Sequence, residues 1–228
     1  MIYLCIIPVR AGSKGIPAKN IKPLANKALM AWTIEQACAC PALDRVVVST
    51  ESADYAAMAR QFGAETPFLR PPSLAQDETP SEPVLLHALD ALERQGYRPD
   101  AVVMLQATSP FRKEGTLARA IARFEVEQAD SLFSAVPVTP LQWRNATKPE
   151  PLYDFRNRPR RQDIPSDRHV FRENGSIFIS RVALLRQTGN RLGGKMTLFQ
   201  MDGAEGLDID SEDDFALAEA YIAAGLFP

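Results

Sequence analysis

The chain has 228 residues, 46% apolar and 24% charged, which is the composition of an ordinary globular protein and excludes a disordered or fibrous one. Its net charge of −2 excludes nucleic-acid binding driven by bulk positive charge. The pair His87 and His169 excludes a His-rich zinc centre, and the odd set Cys5, Cys38 and Cys40 excludes a disulfide framework and is expected in the core.

Tyr3–Pro8 is an apolar run that stops in a glycine-containing basic loop, the pattern of a buried strand leading into a turn. Leu29–Cys38 has helical spacing, Arg45–Ser49 reads as a second buried strand, and residues 54–62 as a second helix. Thr79-Pro80-Ser81-Glu82 then suits a helix start, with Thr79 as N-cap, Pro80 at the first helical position and Glu82 closing a capping box, and that helix is expected to run to Arg94. Ala101–Leu105 is a third buried strand, residues 113–128 a helix and residues 131–136 a fourth strand. Short apolar strands alternating with helices predict an α/β fold with a mostly parallel sheet, covered by helices on both faces and binding ligands at the carboxyl ends of its strands.

The alternation fails over residues 137–171, a proline-rich polar segment expected to be an inserted subdomain of extended strands that gains burial against another chain. Strand character resumes at 174–180 and 197–201, and residues 211–224 close the chain as a helix with Ser211 and Asp214 as a second capping box. The chain is thus read as one domain over 1–228 carrying the 137–171 insertion. Residues 131–143, the longest uncharged stretch, are too short and proline-broken to span a membrane. Arg10 comes too early for a secretory leader, so a cytoplasmic protein is expected.

Charge is unevenly placed. Six arginines lie between Arg156 and Arg172, and eight acids with no base lie between Asp202 and Glu219. Solvated surfaces account for such runs, and so do an acidic substrate and a divalent metal. In the first loop, Gly12, Ser13 and Gly15 let backbone N–H groups approach an anion, with Arg10, Lys14 and Lys19 as cations; an ordinary turn is the alternative. Gln106, Thr108 and Ser109 follow the third strand at the same edge, where they suit sugar hydroxyls or a base edge. Asp208 and Asp210 sit two apart on a segment expected to be extended, so both carboxylates share a face. At about 5 Å and an effective dielectric of about 20 they repel by roughly 3 kcal/mol, which Mg²⁺ or Mn²⁺ removes. Arg160, Arg161, Arg172 and Asn174 suit a carboxylate or phosphate, or a plain interface.

Together, IIPVRAGSKGIPAKNI at 6–21, DRVVVSTES at 44–52, FLRPPSLAQDETPS at 68–81, LQATSPFR at 105–112, RRQDIP at 160–165, FRENGSIFI at 171–179 and LDIDSEDDF at 207–215 resemble the acylneuraminate cytidylyltransferase family, over nearly the whole chain and in order. The resemblance implies a Rossmann-like nucleotidyltransferase fold, CTP and a nonulosonic acid as substrates, Mg²⁺, and a homodimer formed through the 137–171 insertion. It implies that Arg10 and Lys19 act on the CTP phosphates within a loop that includes Ala11, Gly12, Ser13 and Asn20, and that Arg70 and Ser81 lie near the cytidine. Gln106, Thr108, Ser109, Arg161, Arg172, Asn174 and Phe178 are expected around the sugar acid. Asp208 and Asp210 are expected to hold the metal, with Asp210 helping to deprotonate the acceptor hydroxyl. Ala18, Ala107, Phe111 and Phe178 depart from residues common in the family, and residues 138–143 lack its paired histidines, which leaves the acceptor open between N-acetylneuraminate, legionaminate and another nonulosonate. An eight-carbon keto-sugar acid acceptor and a noncatalytic nucleotide-binding homologue are the alternatives.

Overall fold

The computed structural model describes residues 1–13 and 15–227. In chain order its strands and helices are β1 (Tyr3–Pro8), β2 (Pro23–Leu24), β3 (Lys27–Ala28), α1 (Leu29–Cys38), β4 (Arg45–Ser49), α2 (Ala53–Gln61), α3 (Ser81–Glu93), β5 (Ala101–Leu105), α4 (Thr116–Val126), β6 (Ser131–Val138), β7 (Trp143–Arg144), β8 (Glu150–Pro151), β9 (Val170–Arg181), α5 (Val182–Thr188), β10 (Met196–Gln200) and α6 (Glu212–Ala223).

The central sheet has six strands in the order β10-β6-β9-β5-β1-β4. Five run parallel, and β9 is wedged antiparallel between β5 and β6. Strand period sorts the side chains onto two covered faces. Tyr3, Cys5 and Ile7 pack with Met30 and Ile34 of α1, Ala59 of α2 and Phe124 of α4. Leu4 and Ile6 pack with Leu85 and Leu89 of α3 and Leu185 of α5. A third cluster, with Leu24, Trp32, Phe111, Ile209 and Phe215, seats α6 and the β2–β3 ribbon against α1. The α/β fold with helices on both faces is therefore as expected, and among the described residues no helix is long and apolar enough to cross a membrane.

Three local expectations need correction. α3 starts at Ser81 with Pro80 as an N-cap that offers no side-chain bond. Thr79 turns its hydroxyl back to Ser73 O at 3.5 Å, and Glu82 is drawn to Arg191 at 2.5 Å, so that capping box does not form. Ser211 and Asp214 do form theirs. Cys5 and Cys40 are buried, whereas Cys38 ends α1 exposed. The insertion is not a set of extended strands: β6 and β9 run past the sheet as a two-stranded ribbon as far as Val138 and Val170, and the residues between hold only the β7–β8 hairpin and two 3-10 turns.

Candidate active site

The carboxyl ends of β1 and β5 open into a cleft of about 450 Å³. Pro8 ends β1, and the loop behind it brings Arg10, Ser13, Gly15, Lys19 and Asn20 to the cleft wall. Asn20 is buried and donates its amide to Arg10 O at 3.0 Å, which ties the two ends of this loop together. Arg70 and Ser81 supply another wall, Gln106 and Thr108 the floor beyond β5, and Asp208 and Asp210 the third side. Eleven of the residues singled out in the sequence, Arg10, Ser13, Gly15, Lys19, Asn20, Arg70, Ser81, Gln106, Thr108, Asp208 and Asp210, thus converge here.

Two glycines let the walls meet. A Cβ at Gly15 would lie 2.7 Å from Asp210 O, so the basic loop is seated on the backbone of the acidic segment. Gly175, at φ +70°, lets β9 pass Gln106, whose Oε1 would stand 2.5 Å from a Cβ there. The acidic segment is laced to the floor as well, because Ile209 N donates to Thr108 O at 2.9 Å. Ile209 is fully buried between two aspartates that both reach the cleft, as the extended reading requires.

The charges are paired within the chain. Arg10 pairs with Asp77, and Lys19 Nζ donates to Ile209 O at 2.7 Å and to Asp210 Oδ1 at 3.0 Å. Burial raises the pKa of Asp208, and the neighbouring Asp210 charge adds to this. Hydroxyl donors on Thr108 and Ser109, together with Lys19, pull the other way. Two oxygen-donor side chains, one of them disfavoured as a bare anion, fit a hard divalent cation whose remaining ligands come from phosphates or water. Among the described residues no cluster of three or more His, Cys, Asp or Glu offers a closed protein cage for a metal.

Other expected site residues lie elsewhere. The Ala11 amide, read as an anion donor, is taken by Glu51 Oε1 at 2.7 Å. Ala11 and Gly12 do not line the cleft, and Lys14 lies outside the described residues. Ser109 is buried behind the cleft, its hydroxyl 3.4 Å from Asp208 Oδ1. Asn174 is buried too, accepting from Ser134 Oγ at 2.6 Å and donating to Met201 Sδ, which makes it a brace for the β6–β9 irregularity. Phe178 is a core residue, fully buried with Leu4 and Met104 beneath the Arg191 guanidinium, because both faces of β9 are covered. Arg161 and Arg172 are exposed and do not line this cleft.

Four residues here had not been singled out. Glu51 follows β4 and accepts from Ala11 N and Arg70 Nη2, and its place at the carboxyl end of a strand parallel to β1 was a usable signal. Asp77 is the partner of Arg10, with nothing local to mark it. Glu205 is buried and accepts from Lys113 N at 2.8 Å and Thr116 Oγ1 at 2.7 Å, replacing the side-chain cap that Gly115 cannot give α4. Arg112 is buried under the floor and donates to Gln106 O and Ser176 O at 3.1 and 2.8 Å.

Comparison with known proteins gives the family. Residues 4–202 match a family model described as Cytidylyltransferase. The chain is 31% identical to the CMP-N,N'-diacetyllegionaminic acid synthase of Legionella pneumophila, over 96% of this chain and 95% of that protein. It is 33% identical to a pseudaminic acid cytidylyltransferase of Campylobacter jejuni, over 74% of this chain and 75% of that one, and 34% identical to the N-acylneuraminate cytidylyltransferase A of Danio rerio, over 95% of this chain and 50% of that one. Among solved structures, a CMP:2-keto-3-deoxy-manno-octonic acid synthetase complexed with CTP superposes with a TM-score of 0.74 at 12% identity, covering 99% of this chain and 100% of that one, which shows the shared fold. By the span of the family model and the near full-length match to the Legionella enzyme, the chain belongs to the cytidylyltransferase family of nucleotidyltransferases.

Proposed function

We propose that the protein transfers CMP from CTP to the anomeric 2-hydroxyl of a nonulosonic acid and releases pyrophosphate. The observation that carries this reading is the convergence of Arg10, Lys19, Asp208 and Asp210, from opposite ends of the chain, on one cleft at the carboxyl edge of the sheet. The relatives named for legionaminic, pseudaminic and N-acylneuraminic acids favour a nine-carbon acceptor over an eight-carbon one.

In the reaction the 2-hydroxyl oxygen bonds to the α-phosphorus, the bond from that phosphorus to the pyrophosphate oxygen breaks, and the hydroxyl proton is lost. Arg10 and Lys19 leave Asp77 and Asp210 to hold the phosphates and take up the charge that builds on them. Arg70 and Ser81 hold the cytidine, while Gln106 and Thr108 orient the sugar acid. Asp208 and Asp210 would hold Mg²⁺, or Mn²⁺, which when bound polarises the phosphate and makes the attacking hydroxyl more acidic. Asp210, the more exposed of the two, accepts the hydroxyl proton directly or through water.

The same reading makes the protein a cytoplasmic homodimer built on the insertion. Arg161 lies outside the cleft of its own chain, so it would serve the cleft across the dimer, meeting the acceptor carboxylate.

The test is pyrophosphate release from CTP and Mg²⁺ with a panel of nonulosonic and shorter keto-sugar acids. Turnover is expected with at least one nonulosonic acid. Binding of CTP without turnover on any acceptor overturns the reading. Asp210→Ala is expected to lower the rate by at least about a hundredfold with an unchanged circular dichroism spectrum. A rate near that of the parent protein would mean that the metal site is elsewhere.

A further inference from the structure

Glu51 sits at the carboxyl end of β4, behind the cleft wall. Its two carboxylate oxygens hold two groups that would otherwise be free to bind an anion. Oε1 accepts from Ala11 N at 2.7 Å, and Oε2 accepts from Arg70 Nη2 at 3.0 Å. The same Nη2 donates to Val9 O at 3.1 Å, and Arg70 N donates to Thr50 O at 2.8 Å, so Arg70 is fixed to the strand ends on either side of it. The Arg70 side chain is 3% exposed and lines the cleft, and its buried Nε–H has no acceptor in the protein. The Glu51 side chain is 18% exposed and does not line the cleft.

Among the described residues, the three cations that line the cleft are therefore not equivalent. Arg10 and Lys19 pair with Asp77 and Asp210, whose side chains are 33% and 75% exposed. Lys19 itself is 13% exposed, but in each of these pairs the carboxylate is open to water, so the pair exchanges for a triphosphate more readily than one with both partners covered. The Arg70–Glu51 pair is deep, where breaking it would strand a buried charge, and so it persists.

We infer that Glu51 is a positioning residue that keeps phosphate off Arg70 and the Ala11 amide, and so fixes the register of the nucleotide in the cleft. An unpaired Arg70 beside a free loop amide would be a second anion site, able to seat a triphosphate away from Asp208 and Asp210. Neutralised by Glu51, Arg70 has only N–H donors to offer, which suit an uncharged acceptor such as a ring carbonyl oxygen of the base. The phosphates are left to Arg10 and Lys19. This rests on the cytidylyltransfer reading of the cleft.

The test uses the full chain and inorganic pyrophosphate, with binding read by calorimetry. Glu51→Gln keeps the size and an acceptor for Ala11 N–H but removes the charge that neutralises Arg70. It is expected to bind pyrophosphate about tenfold more tightly than the parent protein, and to raise KM for CTP about tenfold with kcat changed much less. A residue that only braced the fold would lower thermal stability without tightening pyrophosphate, so unchanged or weaker binding by folded Glu51→Gln overturns the inference. The double variant Glu51→Gln/Arg70→Gln strands no charge and covers the case in which the single variant does not fold. Its pyrophosphate affinity is expected to match the parent protein, and a tenfold loss would show that Arg70 already holds phosphate and would overturn the inference. Neither binding measurement needs turnover, so the absence of any pyrophosphate release from CTP would sink the functional reading alone.

Discussion

Arg112 places a full charge beneath the cleft floor, held by four neutral oxygens. Nη1 donates to Thr33 Oγ1 and Gln36 Oε1, both at 3.1 Å, and Nη2 donates to the carbonyls of Gln106 and Ser176. Burial pulls its pKa down to about 10, which still leaves it charged at neutral pH. It ties α1 to the exits of β5 and β9, directly under Gln106. Arg112→Met would fill part of the space but leave those oxygens without donors, and is expected to destabilise the fold by about 3 kcal/mol. Urea unfolding measures this, and a loss within experimental error would mean that water replaces the guanidinium. Nothing local in the sequence marks Arg112 as buried, because arginine is seldom fully buried. Phe178 and Asn174 misled for the opposite reason. They belong to a motif shared with a family of sugar-acid enzymes, but on a strand covered on both faces a motif residue can be there to pack.

At the scale of elements, α3 carries a pH dependence. His87 lies edge-on to Phe68 at 5.1 Å between ring centroids, and its buried Nδ1 has no partner. Burial, with Arg94 and Arg70 nearby and Asp90 opposing them, holds its pKa below the ordinary 6.5. A group whose folded pKa is depressed binds fewer protons in the folded state. Its contribution is therefore present above pH 6.5 and lost as pH falls through that value toward the folded pKa. His87→Leu is expected to lose less stability than the parent protein between about pH 8 and about pH 5, read from urea midpoints. Equal losses would mean that His87 titrates as it does when unfolded. The elements themselves were legible where their signals are local. β1, α1, β4 and β5 begin and end where their apolar runs do, and Ser211 caps α6 through a residue three positions on. The Thr79 box failed because Glu82 had a better partner more than a hundred residues away in Arg191. α5 has only seven residues, too few to show a helical period. The antiparallel entry of β9 between β5 and β6 depends on pairing that no local pattern records. The cleft residues that follow β1 and β5 were legible because strand ends in such a sheet must meet at one edge, and Arg70 and Ser81 only through the family resemblance, whereas Asp77 and Glu205 gain their roles only from the partners the fold brings to them.

For the whole molecule, the sheet with its helices is a closed structure and the insertion is not. Beyond the β6–β9 ribbon, Trp143 packs edge-on to Tyr153 at 6.0 Å and lies 5.8 Å from Phe155. Trp143, Leu152 and Phe155 are 49%, 54% and 47% exposed, so this aromatic cluster has one side in water. Large apolar groups gathered on a protruding segment mark a contact surface. A second copy of the chain is the occupant expected here, because the insertion also carries Arg161, which does not line the cleft of its own chain. Light scattering is expected to give twice the chain mass of 25.2 kDa at micromolar concentration. Phe155→Asp puts a carboxylate in the cluster and is expected to shift the protein to monomer, with the circular dichroism spectrum of the core retained. If Arg161 acts across the dimer, that variant keeps its affinity for CTP, whose contacts lie within one chain, and its KM for the acceptor rises by about tenfold or more. A stable parent monomer, or a monomeric variant with an unaltered acceptor KM, would confine the whole site to a single chain and leave the exposed arginines of the insertion with no part in it.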